Sequence, residues 1–481
     1  MSEEVTAIVL AAGAGTRMKS SRAKVLHEIA GRSMLEHALV AVSGAGVRTT
    51  VAVVGHDREQ VTEAVRAYDP ATVIAVQEEQ NGTGHAVRVA LESLDAAPAG
   101  TVVVTYGDVP LLSSQTLSEL LVDHRVAGRS VTILSAEVDD PTGYGRIVRD
   151  GDDAVAAIRE HKDASAEELA LREINSGILV VDAAFLGRAV ASLEANNAQG
   201  ELYLTDIVAR AVAEGLLVGA HVLEDVWQTE GVNDRGQLAR LGRELNRRLT
   251  DHWMAEGVTI VDPATTWIDS AVTLAADVTI LPGTQLLGAT VVATGATIGP
   301  DTTLRNVEVG RDATVVRTHG SDSVIGDGAT VGPFAYLRPG ADLGEGGKIG
   351  TFVEVKNSVI GAGAKVPHLT YVGDADIGEG ANIGAGTIFA NYDGVHKNRS
   401  TIGRHAKTSS NNTFVAPVTV GDGAFTGAGA TIREDVPPGA LAVSAGSQRN
   451  IEGWVEAKRP DTASAHAARD AAADALEAIG E

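Results

Sequence analysis

The chain has 481 residues, is 44% hydrophobic and only 4% aromatic, lacks cysteine, and carries 39 Lys and Arg against 63 Asp and Glu, a net charge of −24. That length and apolar content argue for two to four globular domains with substantial cores. The absence of cysteine excludes disulfides, thiolate catalysis and Cys-ligated metal, and the acidic balance argues against nonspecific binding of nucleic acid or anionic membranes. No segment approaches the roughly twenty apolar residues of a transmembrane helix, and the apolar run at residues 8–12 is too short for a secretory leader. A cytoplasmic protein with no membrane insertion is expected, in which any anionic substrate must meet cations gathered locally.

Taken in order, residues 5–10 read as a buried strand that ends in the glycine loop LAAGAGTRMKSSRAK. A helix over 33–42, a strand over 51–54, a helix over 58–68, a strand over 72–77, a helix over 84–94 and a strand over 101–105 follow. Strands alternating with helices predict a mostly parallel α/β sheet. Ligands of such sheets bind at the carboxyl ends of the strands, which points to the loops after Leu10 and Thr105.

The glycine loop fails as a P-loop, because Met18 stands where glycine is needed before Lys19 and Ser20, and the dinucleotide fingerprint fails at the same residue. What remains is a turn around Gly13 and Gly15 that lets backbone approach a ligand. Arg17, Lys19, Arg22 and Lys24 follow within eight residues, a cation cluster suited to a polyphosphate. Asp108 in TYGDVP lies just past a strand end, where a carboxylate can hold a divalent cation or simply make a turn. QNGTGHA opens the helix near residue 84 with small residues suited to contacting a flat base through backbone groups.

Leu238, Leu241, Leu245, Leu249 and Trp253 fall at helical spacing and predict an amphipathic linker helix with that face packed. Beyond it an aliphatic residue recurs every sixth position: Ile268, Leu274, Ile280, Leu286, Val292, Ile298 and Leu304, then Ile325, Val331, Leu337, Leu343, Ile349 and Val355, then Ile377, Ile383 and Phe389, then Ile402, Thr408, Phe414, Val420, Thr426 and Ile432. A period of six is neither helix nor simple strand. It fits a coil of short straight faces, with the aliphatic residue inward and Gly, Asp or Ala at the corners, and such coils must stack to bury that face. At eighteen residues per coil the rod holds about nine coils over roughly 43 Å. Three breaks interrupt the repeat: a solvated loop around VVRTHGSDS with His319, the stretch 356–371 with His368 and Tyr371, and FANYDGVHKNRS, which is expected to jut out as a loop. From residue 457 the Ala- and acid-rich tail predicts a weak helix or a disordered segment.

LAAGAGTRM with Lys24 in KVLHEIAG, then YGDVPLL, GYGRI, EHKDA, INSGI and EGVNDR, resembles the sugar-1-phosphate nucleotidylyltransferases. With the hexads and HLTYVGDADIGEGANIGAGT added, the chain over about residues 5–455 is similar to the bifunctional bacterial N-acetylglucosamine-1-phosphate uridyltransferase/glucosamine-1-phosphate acetyltransferase family. The resemblance implies a Rossmann-like α/β nucleotidyltransferase domain at 1–232, a linker helix at 233–257, a left-handed parallel β-helix acetyltransferase domain at 258–455 and a flexible or helical tail at 456–481. It also implies a homotrimer whose substrates are all small molecules: UTP, acetyl-CoA, glucosamine 1-phosphate and N-acetylglucosamine 1-phosphate.

For the matching positions the family implies roles. Leu10, Ala11, Ala12, Gly13, Gln77, Gly82 and Thr83 would hold the uridine part, Arg17 and Lys24 the phosphates, and Tyr106, Gly107 and Asp108 would lie near the reacting phosphate. Asp108 and Asn233 would hold Mg²⁺, and Gly145, Glu160 and Asn175 the sugar. In the repeats His368 would be the general base, a residue type whose titration near neutrality suits the removal of a proton from an amine. Arg338, Lys356, Tyr371 and Asn382 would hold the sugar phosphate, Ala385, Ser410 and Ala428 would lie along acetyl-CoA, and Asn391 and Tyr392 between the two. Where well-known members carry a CoA-contacting Arg, this chain has Ala445, and Arg449 or a cation of AKRP is the expected replacement.

Overall fold

A computed structural model describes residues 4–444 and 446–479; Ala445 lies outside the described residues. The chain divides into two compact units, Met1–Pro339 and Gly340–Glu481.

In the first unit the α/β succession ends within two residues of the expected positions throughout. Its elements are β1 (Val5–Ala11), α1 (Met34–Gly44), β2 (Thr49–Val54), α2 (Arg58–Tyr68), β3 (Val73–Val76), α3 (Thr83–Glu92), β4 (Thr101–Tyr106), α4 (Ser114–Val126), β5 (Val131–Glu137), β6 (Gly145–Arg149), β7 (Val155–Arg159), β8 (Glu173–Asp182), α5 (Ala183–Val190), α6 (Asp206–Ala213) and β9 (Val218–Val222). The strands lie in the order β9-β5-β8-β4-β1-β2-β3, with β6 paired to β8 and β7 to β6. β1 is parallel to β2 and β4, whereas β8 is antiparallel to β4 and β5. Every residue of β1 is buried, as expected of a central strand covered on both faces. Alternate residues serve two cores. Ile8, Val51, Val53, Val102 and Val104 pack with Phe185, Leu186 and Ile207, while Ala7, Val9, Val54 and Val103 pack with Leu35, Leu39, Leu117 and Leu120. The chain leaves β1 toward β2 on one side and returns to β4 on the other. The loops after β1 and β4 therefore part at the carboxyl edge and leave a crevice there.

A helix, α7 (Arg235–Ala255), forms where one is expected, but its packing differs. Only Leu241 of the leucine face is fully buried; Leu238, Leu245, Leu249 and Trp253 are half-buried, and the buried positions include Glu244, Asn246 and Thr250. Polar residues can be buried here because each finds a partner. Asn246 donates to the Thr266 carbonyl at 2.8 Å and accepts from the Ile268 amide at 3.0 Å, which ties the helix to the first coil. Glu244 is clasped by Arg247 and Arg248.

The repeat forms stacked parallel strands of two to eight residues, a parallel β-helix, and every hexad position from Ile268 to Ile432 named above is buried. The eighteen-residue coil does not hold throughout. In the first unit Leu286 sits against Leu304 eighteen residues on, Val292 against Val309 seventeen on, and Leu304 against Gly320 sixteen on. Corners have lost residues while the inward side chains stay in register, because a stacked strand cannot shift without turning its apolar face outward. The segment around His319 is consequently a strand, Thr318–Ile325, not a solvated loop, and the His319 ring packs against Tyr336 at 5.6 Å between centroids.

The second unit begins with coils of seventeen residues, Val355 against Val372 and Ile360 against Ile377, and ends with coils of eighteen, Ile402 against Val420. The expected break at 356–371 is thus a one-residue contraction in phase, and the stretch is regular strand, Ser358–Ile360, Lys365–His368 and Tyr371–Gly373. The next break is a true insertion: Ile377 pairs with Ile402 and Phe389 with Phe414, each twenty-five residues on. The excess of about eight residues leaves the coil as the loop 391–399. The tail is helical, with α8 (Trp454–Lys458) and α9 (Ala463–Ile479).

The buried bridge from α7 to the first coil is open to test. Asn246→Ala strands the Ile268 amide and the Thr266 carbonyl, and loss of buried partners costs roughly 1–3 kcal/mol. A clear fall in the thermal unfolding midpoint of the full chain is expected; an unchanged midpoint would show the bridge to be unimportant.

Candidate active sites

In the first unit one cleft at the crevice is lined by Leu10, Ala11, Ala12, Gly13, Lys24, Gln77, Gly82, Thr83, Tyr106 and Asp108, ten of the residues singled out from sequence. Gly107 lies beneath it, its amide donating to the Leu10 carbonyl at 2.9 Å. Gln77 is buried and donates to the Gly82 carbonyl at 3.1 Å, so its amide is fixed in orientation. Gly82 has φ +97°, and a Cβ there would fall 2.6 Å from the Leu202 carbonyl, which explains glycine at the mouth of α3. Gln80, at the front of QNGTGHA, closes the floor by donating to the Ala12 carbonyl at 2.7 Å.

The four-cation cluster divides, with Lys24 and Arg17 lining the hollows at the crevice and Arg22 and Lys19 elsewhere. Arg22 turns to Glu28 at 2.6 Å, exposed and away from the cleft, and Lys19 is exposed in a left-handed turn. Lys24 points inward, where its ammonium pairs with the Asp108 carboxylate and lies 3.4 Å from Asn233 Oδ1. Arg17 lines an adjoining hollow with Tyr106, Asp108, Tyr144, Ser176, Gly231 and Asn233. Asp108 is held by the Val232 amide donating to its carbonyl at 2.9 Å, and Asn233 by its amide donating to Gln237 at 2.7 Å.

Asp108 and Asn233 thus present a carboxylate and an amide oxygen to one point that already accommodates a cation, the Lys24 ammonium. An all-oxygen pair of this kind fits a hard divalent ion that takes its remaining ligands from water and phosphate. No cluster of three or more His, Cys, Asp or Glu suited to a metal exists among the described residues.

Gly145, Glu160 and Asn175 also converge. Asn175 pairs with Gly145 across β8 and β6, and a Cβ on Gly145 would stand 3.5 Å from Glu160 Oε2 and 3.6 Å from Asn175 Cβ. Burial pushes the Glu160 carboxyl above the usual carboxylate range; the Thr205 hydroxyl, donating at 3.0 Å, opposes this, and Asp206 and Asp163 add to it. The Tyr106 phenol is pushed up by burial and by the charges of Glu160 and Asp108, so it stays a neutral donor. Its ring lies over Gly177, where a Cβ would approach to 2.5 Å. Tyr144, Glu201 and Gly231 were not singled out from sequence. Tyr144 and Gly231 carried a signal, their places in GYGRI and EGVNDR.

In the second unit His368 is exposed at the end of its strand, and its corner turns through Leu369 at φ +48°. The Gly386 amide donates to the His368 carbonyl, the Asn411 amide to Ala385, and the Gly429 amide to Ser410. His368, Ala385, Ser410 and Ala428 therefore stand in one column down one corner. Lys356, Tyr371 and Asn391 gather elsewhere, around Asp374, which sequence reasoning missed. Asp374 accepts from Asn391 at 2.5 Å, Asn357 at 2.7 Å and, more loosely, Lys356 at 3.3 Å. Burial works to raise its pKa, but these three donors prevail and hold it below the usual range. A Cβ on Gly373 would meet both Tyr371 Oη and Asn391 Nδ2, so these groups crowd one spot. Asn382 stands apart from them, on the strand position of Lys365 and Lys407. Tyr392 is exposed on the loop, its hydroxyl donating to Gly394 at 2.6 Å. Arg399 locks the end of the loop to Asp376 at 2.6 Å and to the Asn357 carbonyl at 3.0 Å. Arg338 follows strand Ala335–Leu337 in the first unit and is half-buried there.

The raised Glu160 pKa makes a signed prediction. A carboxyl whose folded pKa exceeds its unfolded value favours folding below the unfolded value, and that advantage is lost as pH rises through the folded pKa. The native chain is expected to lose stability in the window opening at about 4.5. Glu160→Gln should remove this component; parallel Tm-against-pH curves for the two proteins would contradict it.

Residues 7–174 match the MobA-like NTP transferase domain family. Over nearly its whole length the chain is similar to proteins named bifunctional protein GlmU. It is 58% identical over 467 residues to that of Corynebacterium efficiens, covering 96% of each chain. It is 59% identical over 466 residues to that of Pseudarthrobacter chlorophenolicus, covering 96% of this chain and 95% of the relative. It is 56% identical over 466 residues to that of Mycolicibacterium vanbaalenii, again covering 96% and 95%. With a nucleotidyltransferase cleft in the first unit, a stacked hexapeptide coil beyond it and this agreement from end to end, the chain belongs to the GlmU family of bifunctional enzymes.

Proposed function

We propose that the chain makes a nucleotide sugar by two transfers: acetylation of glucosamine 1-phosphate from acetyl-CoA by the coiled domain, then uridylylation of the N-acetylglucosamine 1-phosphate from UTP by the α/β domain, supplying cell-envelope precursors. The observation that carries this reading is identity of 56–59% across 96% of the chain to bifunctional relatives.

In uridylyl transfer a phosphate oxygen of the sugar attacks the α-phosphorus of UTP in line. The bond from that phosphorus to the bridging oxygen breaks, and pyrophosphate leaves with the electron pair. No protein nucleophile is needed, so positioning and charge carry the rate. The backbone from Leu10 to Gly13, with Gln77, Gly82 and Thr83, holds the uridine. Arg17 and Lys24 meet the phosphates, and Gly145, Glu160 and Asn175 orient the sugar. Tyr106 and Gly107 border the reacting centre. Asp108 and Asn233 would hold Mg²⁺, which when bound neutralises charge on the phosphate oxygens.

In acetyl transfer His368 takes a proton from the 2-amino group of the sugar. The nitrogen then attacks the thioester carbonyl, a C–N bond forms, the C–S bond breaks and the CoA thiolate leaves. Lys356 and Tyr371 hold the sugar phosphate, and Asn382 and Arg338 keep the same assignment on the resemblance alone. The corner column of Ala385, Ser410 and Ala428 supports an extended acetyl-CoA running from His368, with Asn391 and Tyr392 between the ligands.

The working domain limits are 1–232, 233–257, 258–455 and 456–481. A homotrimer is supported by large apolar side chains exposed on the coils, Phe334 and Tyr336 in the first unit and Phe352 and Leu369 in the second. A cytoplasmic site is supported by the acidic, cysteine-free composition, and among the described residues no helix is long and apolar enough to cross a membrane.

Two substitutions test the reading in opposite directions within one chain. Asp108→Ala is expected to lower pyrophosphate release by about a hundredfold or more while thiol release from acetyl-CoA continues. His368→Ala is expected to lower thiol release by about a hundredfold or more and leave UDP-sugar formation intact. Full UDP-sugar formation by the first variant at saturating Mg²⁺, or acetylation by the second within a few-fold of wild type, would remove the residue from its role.

A further inference from the structure

The largest fully buried side chain among the described residues is a charged one, Arg146 of β6, only 2% exposed. No carboxylate pairs with it among those residues. Its guanidinium donates through Nη1 to the Tyr144 carbonyl and reaches the Leu169 carbonyl through Nη2 at 3.5 Å, while Nε has no partner. A guanidinium taken out of water and answered by two neutral carbonyls is costly, and an apolar side chain of similar volume would serve folding as well. A buried cation with an unfilled donor calls for a reason beyond stability.

Arg146 lines neither hollow of the crevice, but the residues it holds and adjoins belong there. Tyr144 lines the hollow beside Asp108 and Asn233, and Gly145 stands against Glu160 and Asn175. The peptide between Tyr144 and Gly145 is a rigid plane, so a donor that pins the Tyr144 carbonyl also fixes the direction of the Gly145 amide. The turn before it is ordered by its own bonds. Asp140 accepts from the Thr142 amide at 3.1 Å, Gly143, at φ +89°, donates to His161 Nδ1 at 3.3 Å, and the Tyr144 amide donates to the Pro141 carbonyl at 3.2 Å. Those bonds reach as far as the Tyr144 amide; Arg146 takes the carbonyl. Its second arm meets the end of the short helix Ala166–Leu169, at a carbonyl that a helix leaves without an internal partner. Across the sheet Arg146 stands opposite Arg159 on one side and Ile174 on the other, the residues adjoining Glu160 and Asn175. Gly145, Glu160 and Asn175 are thus each one residue from the row that Arg146 occupies.

We infer that Arg146 is a positioning residue for the sugar phosphate in uridylyl transfer: its fork fixes the Tyr144–Gly145 peptide, and with it the wall against which the sugar lies. It touches no reacting atom. The planar fork is what two carbonyls in different segments need, since an ammonium on a flexible stem is a point charge without that fixed geometry. The inference rests on the proposed assignment of Gly145, Glu160 and Asn175 to the sugar.

The test uses the full chain and two probes, UDP-N-acetylglucosamine and UDP, the second lacking the sugar, with binding followed by calorimetry so that no turnover is needed. Arg146→Met and Arg146→Lys should each weaken UDP-N-acetylglucosamine by about tenfold and leave UDP within about twofold. In steady state the KM for N-acetylglucosamine 1-phosphate should rise while the KM for UTP and the rate of acetyl transfer stay put. Arg146→Lys, which keeps the charge and most of the volume, carries the test where Arg146→Met is too unstable to purify. Equal losses for the two probes, unchanged affinity in both variants, a rise in the UTP KM instead, full sugar affinity in Arg146→Lys, or failure of both variants to fold would each overturn the positioning role. Asn175→Ala separates this outcome from the reading beneath it. A normal preference for UDP-N-acetylglucosamine over UDP in that variant would sink the sugar assignment, whereas a lost preference there beside normal Arg146 variants would sink Arg146 alone.

Discussion

Register between stacked coils is the constraint on which the repeat depends. Each inward aliphatic residue must meet the one above and below, since a slip of one residue would turn Ile, Leu and Val to water and leave polar groups in a dry interior. Changes in chain length are therefore absorbed where they do no harm. Deletions are taken at corners, which is why Leu304 meets Gly320 and Ile360 meets Ile377 without disturbing the core. Insertions are expelled, as the loop 391–399 is. A scaffold that must keep its interior constant is left with corners and loops for chemistry, and His368, Asn391 and Tyr392 stand there.

The same discipline arrays the outward residues. A column such as His368, Ala385, Ser410 and Ala428 is spaced along the chain by seventeen, twenty-five and eighteen residues, yet by one strand step each in space. An extended ligand can be read residue by residue along such a column, and residues distant in sequence are brought onto neighbouring strands.

In the α/β domain the governing problem is charge. An acidic protein must attract polyphosphates while keeping its own carboxylates from repelling them. Lys24 on Asp108 addresses both needs, neutralising the carboxylate and keeping a cation within the cleft. Glu160 is handled differently, by burial that favours its neutral form. Three polar anchors, Asn246, Asp374 and Gln77, are buried with partners and give direction to elements that apolar packing alone would leave free to rotate.

Local periodicity and turn chemistry made the elements legible. β1 through β4, α1 through α3, the linker helix and every inward hexad position follow from the sequence, because strand, helix and coil periods are imposed by short-range backbone geometry. The glycine loop, Asp108 and the loop at 391–399 were legible for the same reason. What the sequence could not decide was which of several like residues meet. It offered four cations after Gly15, and only the fold separates Lys24, facing Asp108, from Arg22, facing Glu28. It offered a leucine face for α7, and packing chose Asn246 as well. It gave no hint of Asp374, whose partners Lys356, Asn357 and Asn391 lie seventeen or eighteen residues away. Period and turn type are properties of neighbours in the chain; pairing, burial and charge balance are properties of neighbours in space, and only folding brings those together.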